Sequence, residues 1–320
     1  MQLHPGLSCR SGSWAAVRLR SDVVRPSSSF SAFNSNSTLR LHSHHRHRHS
    51  SLLRLHSHSH SHRHSSLLRL RPMAHSAPSV DELNSIADFE RIASSSSSSE
   101  SEDAYISICG FGSLLSERSA RSTFPHLLNF RLAQLRGFRR VFAHVAPIFF
   151  HRGIANPHTG EISSLSVEPC QHELLIVTVF EINIHDVPSF LKREEEFRFL
   201  AVYPEGLDGT PFPNRAVLCA RYSDEEYFQV RCQGSKEIYH DRYGRYNIQK
   251  IWRDDILPCR IYLRHCVLAA KNLGEPAYSN LLDHTYISDR KTTIRQYLAT
   301  DGAGIMEEEP PESLKTRYGG

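Results

Sequence analysis

Long apolar runs are missing from this 320-residue chain: nowhere do 18 consecutive apolar residues occur, which excludes a membrane-spanning helix and points to a soluble protein. Paired cysteines are missing too. Cys9, Cys109, Cys170, Cys219, Cys232, Cys259 and Cys266 are odd in number and contain no C-x-x-C, so they read as reduced thiols rather than a disulfide framework. Acids are nearly absent from the first 72 positions, where eleven arginines meet only Asp22, a charge of +10. The other 248 residues then carry −6 to reach the overall +4. The basic balance belongs to the leader, and the part able to fold is mildly acidic, which argues against a nucleic-acid enzyme.

What the leader does contain is repetition. Arg48-His-Ser-Ser-Leu-Leu-Arg-Leu55 returns as Arg63-His-Ser-Ser-Leu-Leu-Arg-Leu70, a period too short for a solenoid unit. Its histidines lack an acidic second shell, so residues 1–72 read as a disordered Arg/Ser/His-rich tract with no metal. Such composition also resembles an organelle transit peptide, and translation from Met73 is the competing reading. A cytoplasmic protein is expected in the second case, a plastid or other organelle in the first. In residues 73–103, Ser79 and Glu82 form a capping box for a short helix, followed by a flexible linker at Ser94 to Ser99. The tail 303–320, with Glu307-Glu308-Glu309-Pro310-Pro311, is expected to be loose.

Residues 104–302 carry the globular pattern. Strand-like runs occur at 105–109, 138–143, 162–167, 174–180, 197–203 and 216–222, enough for a small closed or partly closed β-barrel with flanking helices, an α+β fold. Between Pro258 and Gly274 the residues Tyr262, Cys266, Ala269 and Leu273 recur at helical spacing and predict a helix with that stripe inward. A second helix is predicted from Asp289 or Arg290 to Leu298, beside Ser288.

Two segments carry candidate chemistry. After the first strand comes Gly110-Phe111-Gly112-Ser113-Leu114-Leu115, read either as a tight turn or as an anion cradle made of free backbone N–H groups. Leu115 stands where a dinucleotide fingerprint needs its third glycine, and Ser113 is in no nucleophile elbow. The second segment is Arg193-Glu194-Glu195-Glu196. Asp186 reads as an N-cap and Pro188 as first-turn, and the face Val187, Phe190, Leu191 continues to Glu194. Helical rotation then carries Glu194 inward and sends Glu196 to the opposite side. A buried carboxyl titrates nearer neutrality, where an acid/base works best, so Glu194 is the first catalytic candidate. If the next strand starts early, Glu196 takes that place. Arg136, Arg139 and Arg140 suit either a ligand anion or a strand edge. Tyr243 to Tyr246 and Lys250 to Arg253 read either as an aromatic and basic stretch that stacks a ligand or as packed rings. Cys232 lacks a partner for nucleophilic work.

Phe111-Gly112-Ser113-Leu114-Leu115 resembles the Y-G-S-x-L loop of the gamma-glutamylcyclotransferase-like superfamily, which includes ChaC and plant avirulence-induced-gene-like proteins; Phe stands where the family has Tyr. Leu191-Lys192-Arg193-Glu194, leading to Val202-Tyr203-Pro204, is similar to the segment bearing the family's catalytic glutamate. The resemblance spans roughly residues 104 to 270. It implies release of 5-oxoproline from a small γ-glutamyl amino acid, peptide or amine, with Glu194 or Glu196 as acid/base and Phe111 to Leu115 binding substrate, and with no cofactor, nucleic acid or membrane. The alternative is a non-catalytic binding module on the same fold.

Overall fold

In the computed structural model, residues 80–96 and 104–320 are described. The leader, the Met73 segment, Ser79 and most of the serine linker lie outside them. Strand β1 (Asp81–Leu83) precedes α1 (Ile86–Ser96), then β2 (Tyr105–Gly110), α2 (Glu117–Arg121), β3 (Leu128–Val145), α3 (Pro147–His151) and β4 (Glu161–Asn183). There follow α4 (Val187–Arg193), β5 (Arg198–Val202), β6 (Ala216–Ala220), α5 (Asp224–Val230), α6 (Lys236–Arg242), β7 (Leu257–Pro258) and α7 (Arg260–Asn272). The chain ends through α8 (Glu275–Asp283), β8 (Thr285–Ile287), α9 (Ile294–Ala299) and α10 (Lys315–Tyr318).

The result is a mixed α+β fold on an eight-stranded sheet in the order β1-β5-β6-β2-β4-β3-β8, with β7 also on β4. Of the closed or partly closed barrel expected, closure is not seen among the described residues, because β1 and β8 stand at the two ends of that path. The sheet touches itself where Arg221 N–H donates to the Val167 carbonyl at 3.1 Å. Strands predicted at 162–167 and 174–180 are one 23-residue strand, β4, paired along its length with β3. A register shift between Arg136 and Phe138, opposite Pro169, marks the interruption. Gly137 there has φ +85°, a left-handed value that glycine adopts without strain, and it lets the hairpin bend.

Other differences have local causes. The first helix is capped by Ser85, whose N–H and hydroxyl both donate to Asp88, while Glu82 lies in β1 against Leu200. The helix predicted from Asp289 starts later. Asp289 accepts from the Lys291 and Thr292 N–H groups and Arg290 is left-handed (φ 58°), so the helix waits for the Thr293–Gln296 capping box. The Tyr262, Cys266, Ala269 stripe of α7 is buried as expected, with Leu273 packed on the core. Where a loose tail is expected, Ile305 and Tyr318 are buried.

One cation sits inside this framework. Arg140 on β3 has no exposed surface; its Nε donates to the Phe111 carbonyl (3.0 Å), Nη1 to Asn280 Oδ1 (3.0 Å) and Nη2 to the Ile176 carbonyl. Asn280 in turn accepts from Ile176 N–H and donates to the Leu174 carbonyl. Burial lowers the Arg140 pKa to about 10, which leaves it charged at neutral pH. Arg140 thus fastens the loop after β2 to β4 and α8. Arg140→Leu takes this donor from the Phe111 and Ile176 carbonyls and from Asn280 and is expected to cost about 3 kcal/mol in urea unfolding; a loss below about 0.5 kcal/mol, the range of an ordinary surface change, would refute the latch.

Candidate functional site

Strand β2 is buried on both faces and delivers Phe111 to Leu115 at its end. Ser113 to Leu115 make a single 3-10 turn, closed by Leu115 N–H on the Gly112 carbonyl and Ser116 N–H on the Ser113 carbonyl. The opening N–H groups of such a turn have no acceptor within it. Thr178 Oγ1 donates to the Leu114 carbonyl (2.8 Å) and pins the turn to β4. Gly112 is needed for close approach, since a Cβ there would lie 2.8 Å from the Tyr262 hydroxyl oxygen. Phe111 packs edge-on to Phe197, their centroids 6.5 Å apart.

Helix α4 stops at Arg193. Glu194 leaves helical geometry (φ −112°, ψ 30°), and Phe197 N–H donates to its carbonyl at 3.0 Å, so Glu194 to Phe197 form a turn. Helical rotation therefore does not apply beyond Arg193, and Glu196 faces inward together with Glu194 instead of lying opposite. Glu194 is 15% exposed and pairs with Arg193 Nε at 2.8 Å. The same guanidinium donates through Nη1 to Thr123 Oγ1 (2.6 Å) and through Nη2 to Ser113 Oγ (3.3 Å), tying carboxylate and loop together. Glu195 is more exposed and pairs with Arg242 at 3.3 Å.

Glu196 sits against an apolar wall. Its Oε2 lies 3.4 Å from Nε2 of His144, whose side chain has no exposure and whose ring is 4.6 Å from Trp252 and 5.0 Å from Phe197. Burial, then the charges of Glu194 and Glu195, push the Glu196 carboxyl up to about 8 against the opposing pull of Tyr243 and Arg242. Burial alone holds His144 down at about 3. At neutral pH the couple is thus a carboxylic acid beside a neutral imidazole. Neither His144 nitrogen has a hydrogen-bond partner among the described residues.

Phe111, Gly112, Ser113, Leu114, Glu194 and Glu196 all line one cavity of about 540 Å³, a size suited to a small ligand. Leu115 does not line it; at 1% exposure it is core. Sequence reasoning missed His144, Tyr262, Arg152 and Arg317 as site residues, and left Tyr243 between ligand stacking and ring packing. The register shift between Val141 and His144 breaks strand alternation just where His144 turns inward, so no periodic signal marks it. Of the other candidates, Arg136 pairs with Glu205 and Arg139 with Glu168, away from the cavity. Cys109 lines it, but burial pushes that thiol up to about 12, and Cys232 is fully buried.

No protein-family model and no curated protein matches the chain. Among solved structures it is similar to a gamma-glutamyl cyclotransferase, with 16% identity, 42% of this chain and 79% of that one covered, and TM-score 0.30. It is also similar to an uncharacterized Homo sapiens protein (17% identity; 47% and 90% covered; TM-score 0.30) and to an Arabidopsis thaliana protein (12%; 46% and 85%; 0.28). Likenesses this partial carry no argument about chemistry. Among the described residues no helix is long and apolar enough to cross a membrane.

The Glu196 burial has a signature in stability. Unfolded, the carboxyl titrates near 4.5; folded, near 8. Between these values the folded chain holds the extra proton, so the stability Glu196 contributes is full below about 4.5 and is lost as pH rises through about 8. Glu196→Gln stays neutral throughout, so its melting temperature relative to the parent is expected to climb across that window. His144 acts in the opposite sense at lower pH and is common to both proteins. A flat difference between pH 5 and 9 would show that Glu196 is solvated.

Proposed function

We propose that this chain is a γ-glutamyl cyclotransferase-like enzyme that releases 5-oxoproline from a small γ-glutamyl compound. One observation carries the reading: the Gly112 to Leu114 turn and the carboxyls of Glu194 and Glu196 line the same cavity, with Arg193 bonded to both Glu194 and Ser113. The loop and glutamate segment that resemble the family thus come together from positions some eighty residues apart.

A γ-glutamyl substrate holds its own nucleophile. Its α-amine attacks the γ-carbonyl, the new C–N bond closes a five-membered ring, and the original amide C–N bond breaks to free an amine. The protein must take a proton from the attacking nitrogen, give one to the departing nitrogen, and steady the oxyanion between. Glu194 accepts the first proton. Glu196, protonated at neutral pH, supplies the second, and proton exchange between the two carboxyls restores the starting state. Backbone N–H groups at the start of the Ser113 turn stabilise the oxyanion. His144 keeps the Glu196 side of the cavity apolar and uncharged.

Incubation of the protein with glutathione, γ-glutamyl amino acids and γ-glutamylamines is expected to yield 5-oxoproline by mass spectrometry; no release from any of them would overturn the assignment. Glu194→Gln is expected to lower the rate about 10² to 10⁴-fold, and an unchanged rate would remove Glu194 from the chemistry. The rate should also fall as pH rises past about 8, where Glu196 loses the proton it donates. That limb should vanish in Glu196→Gln, leaving a slower enzyme.

A further inference from the structure

The cavity is asymmetric in charge. Arg242 faces Glu195 and Arg193 faces Glu194, yet three further guanidiniums on the wall, Arg152, Arg245 and Arg317, have no carboxylate within ion-pair distance among the described residues; Arg245 lies over the Tyr246 ring, which leaves Arg152 and Arg317 as the pair beside Arg193. Arg152 follows α3, and Arg317 lies in α10. Arg317 Nη1 donates to Ser122 Oγ at 2.7 Å, and Arg152 Nη1 donates to the Tyr318 hydroxyl while its guanidinium lies 5.4 Å from that ring's centroid. Tyr318 is 3% exposed, so the segment carrying Arg317 is packed in place. Beneath it His265 accepts Gly320 N–H on Nδ1 and is kept neutral, chiefly by burial and secondarily by Arg317.

Arg317 feels the charges of Arg193 and Arg152, and Glu194 is the carboxylate that answers them. Gathering three cations at a half-dry wall costs free energy unless an anion shares it. Arg152 and Arg317 each keep unused guanidinium donors, and such forks match a carboxylate. The wall also adjoins Ser113 and Glu194, beside the place where the scissile amide would sit.

We propose that Arg152, Arg317 and Arg193 form an anion subsite for the carboxylate of the leaving group, so that the substrates are γ-glutamyl amino acids or peptides rather than γ-glutamyl amines. This rests on the cyclotransferase reading for the identity of the ligand. A leaving amine without a carboxylate gains nothing from the subsite, and a cationic one is repelled by it.

Glutaryl-alanine and glutaryl-ethylamide test the subsite apart from catalysis. Both lack the α-amine and cannot cyclise, and they differ only in the carboxylate of the leaving group. Isothermal titration of the full chain should show glutaryl-alanine binding at least about tenfold tighter, the scale of a charge-assisted pair. Arg317→Gln should bring the two ligands within about twofold by weakening glutaryl-alanine alone. Arg152→Gln should do the same in part, and it keeps the test open if the first variant unfolds in a thermal melt. Equal affinities in the parent, or no binding of either ligand, would overturn the subsite. So would an equal loss for both ligands in Arg317→Gln, which would mean that the cluster grips the glutaryl carboxylate. Failure to release 5-oxoproline would instead sink the cyclotransferase reading and leave this binding comparison standing.

Discussion

The guanidinium of Arg140 reaches the Phe111 carbonyl from inside the sheet, and the position of the loop that lines the cavity follows from that bond. A charge with no exposed surface is tolerated only where its donors are matched, and here the acceptors come from the loop after β2, from β4 and from α8. The loop therefore cannot drift relative to β4. Thr178 adds a second tie from the same strand, and Gly112 allows Tyr262 to close against the turn. What would elsewhere be a mobile glycine-rich connection becomes one rigid wall of a cavity.

The opposite wall comes from the turn after α4, and its two inward carboxyls have different surroundings. Glu194 lies against Arg193 and remains close to the loop through that side chain. Glu196 lies beside His144, whose ring packs on Phe197 and Trp252, so the charged forms of both the acid and the imidazole are disfavoured. One fold thus sets a paired carboxylate and a neutral carboxylic acid two residues apart. The cationic wall from Arg152 and Arg317 gives the same cavity a third environment.

Much of the framework was legible in the residues. The β2 strand, the α7 stripe and the paired runs of β5 and β6 were visible because period and composition are local properties. The loop at Phe111 and the acid at Glu194 were legible for the same reason, each being a short run whose chemistry travels with it. The failures are equally physical. Two predicted runs are one strand, β4, whose irregularity lies opposite Gly137 of β3. Asp289 withdrew backbone N–H groups from the helix assigned to it. A rotation rule carried past Arg193 misplaced Glu196, because the helix had already ended.

By itself the sequence determined which candidate groups are present and where along the chain they lie, above all the turn at Phe111 to Leu115 and the run of carboxyls from Glu194 to Glu196. Only the tertiary structure decided which of them act together and in what charge state. Burial and neighbouring charge are sums over parts of the chain distant in sequence, and here His144 from β3, Tyr243 after α6 and Arg317 from α10 meet the same few residues. Such sums have no period and no motif, so they come into being only when the chain folds.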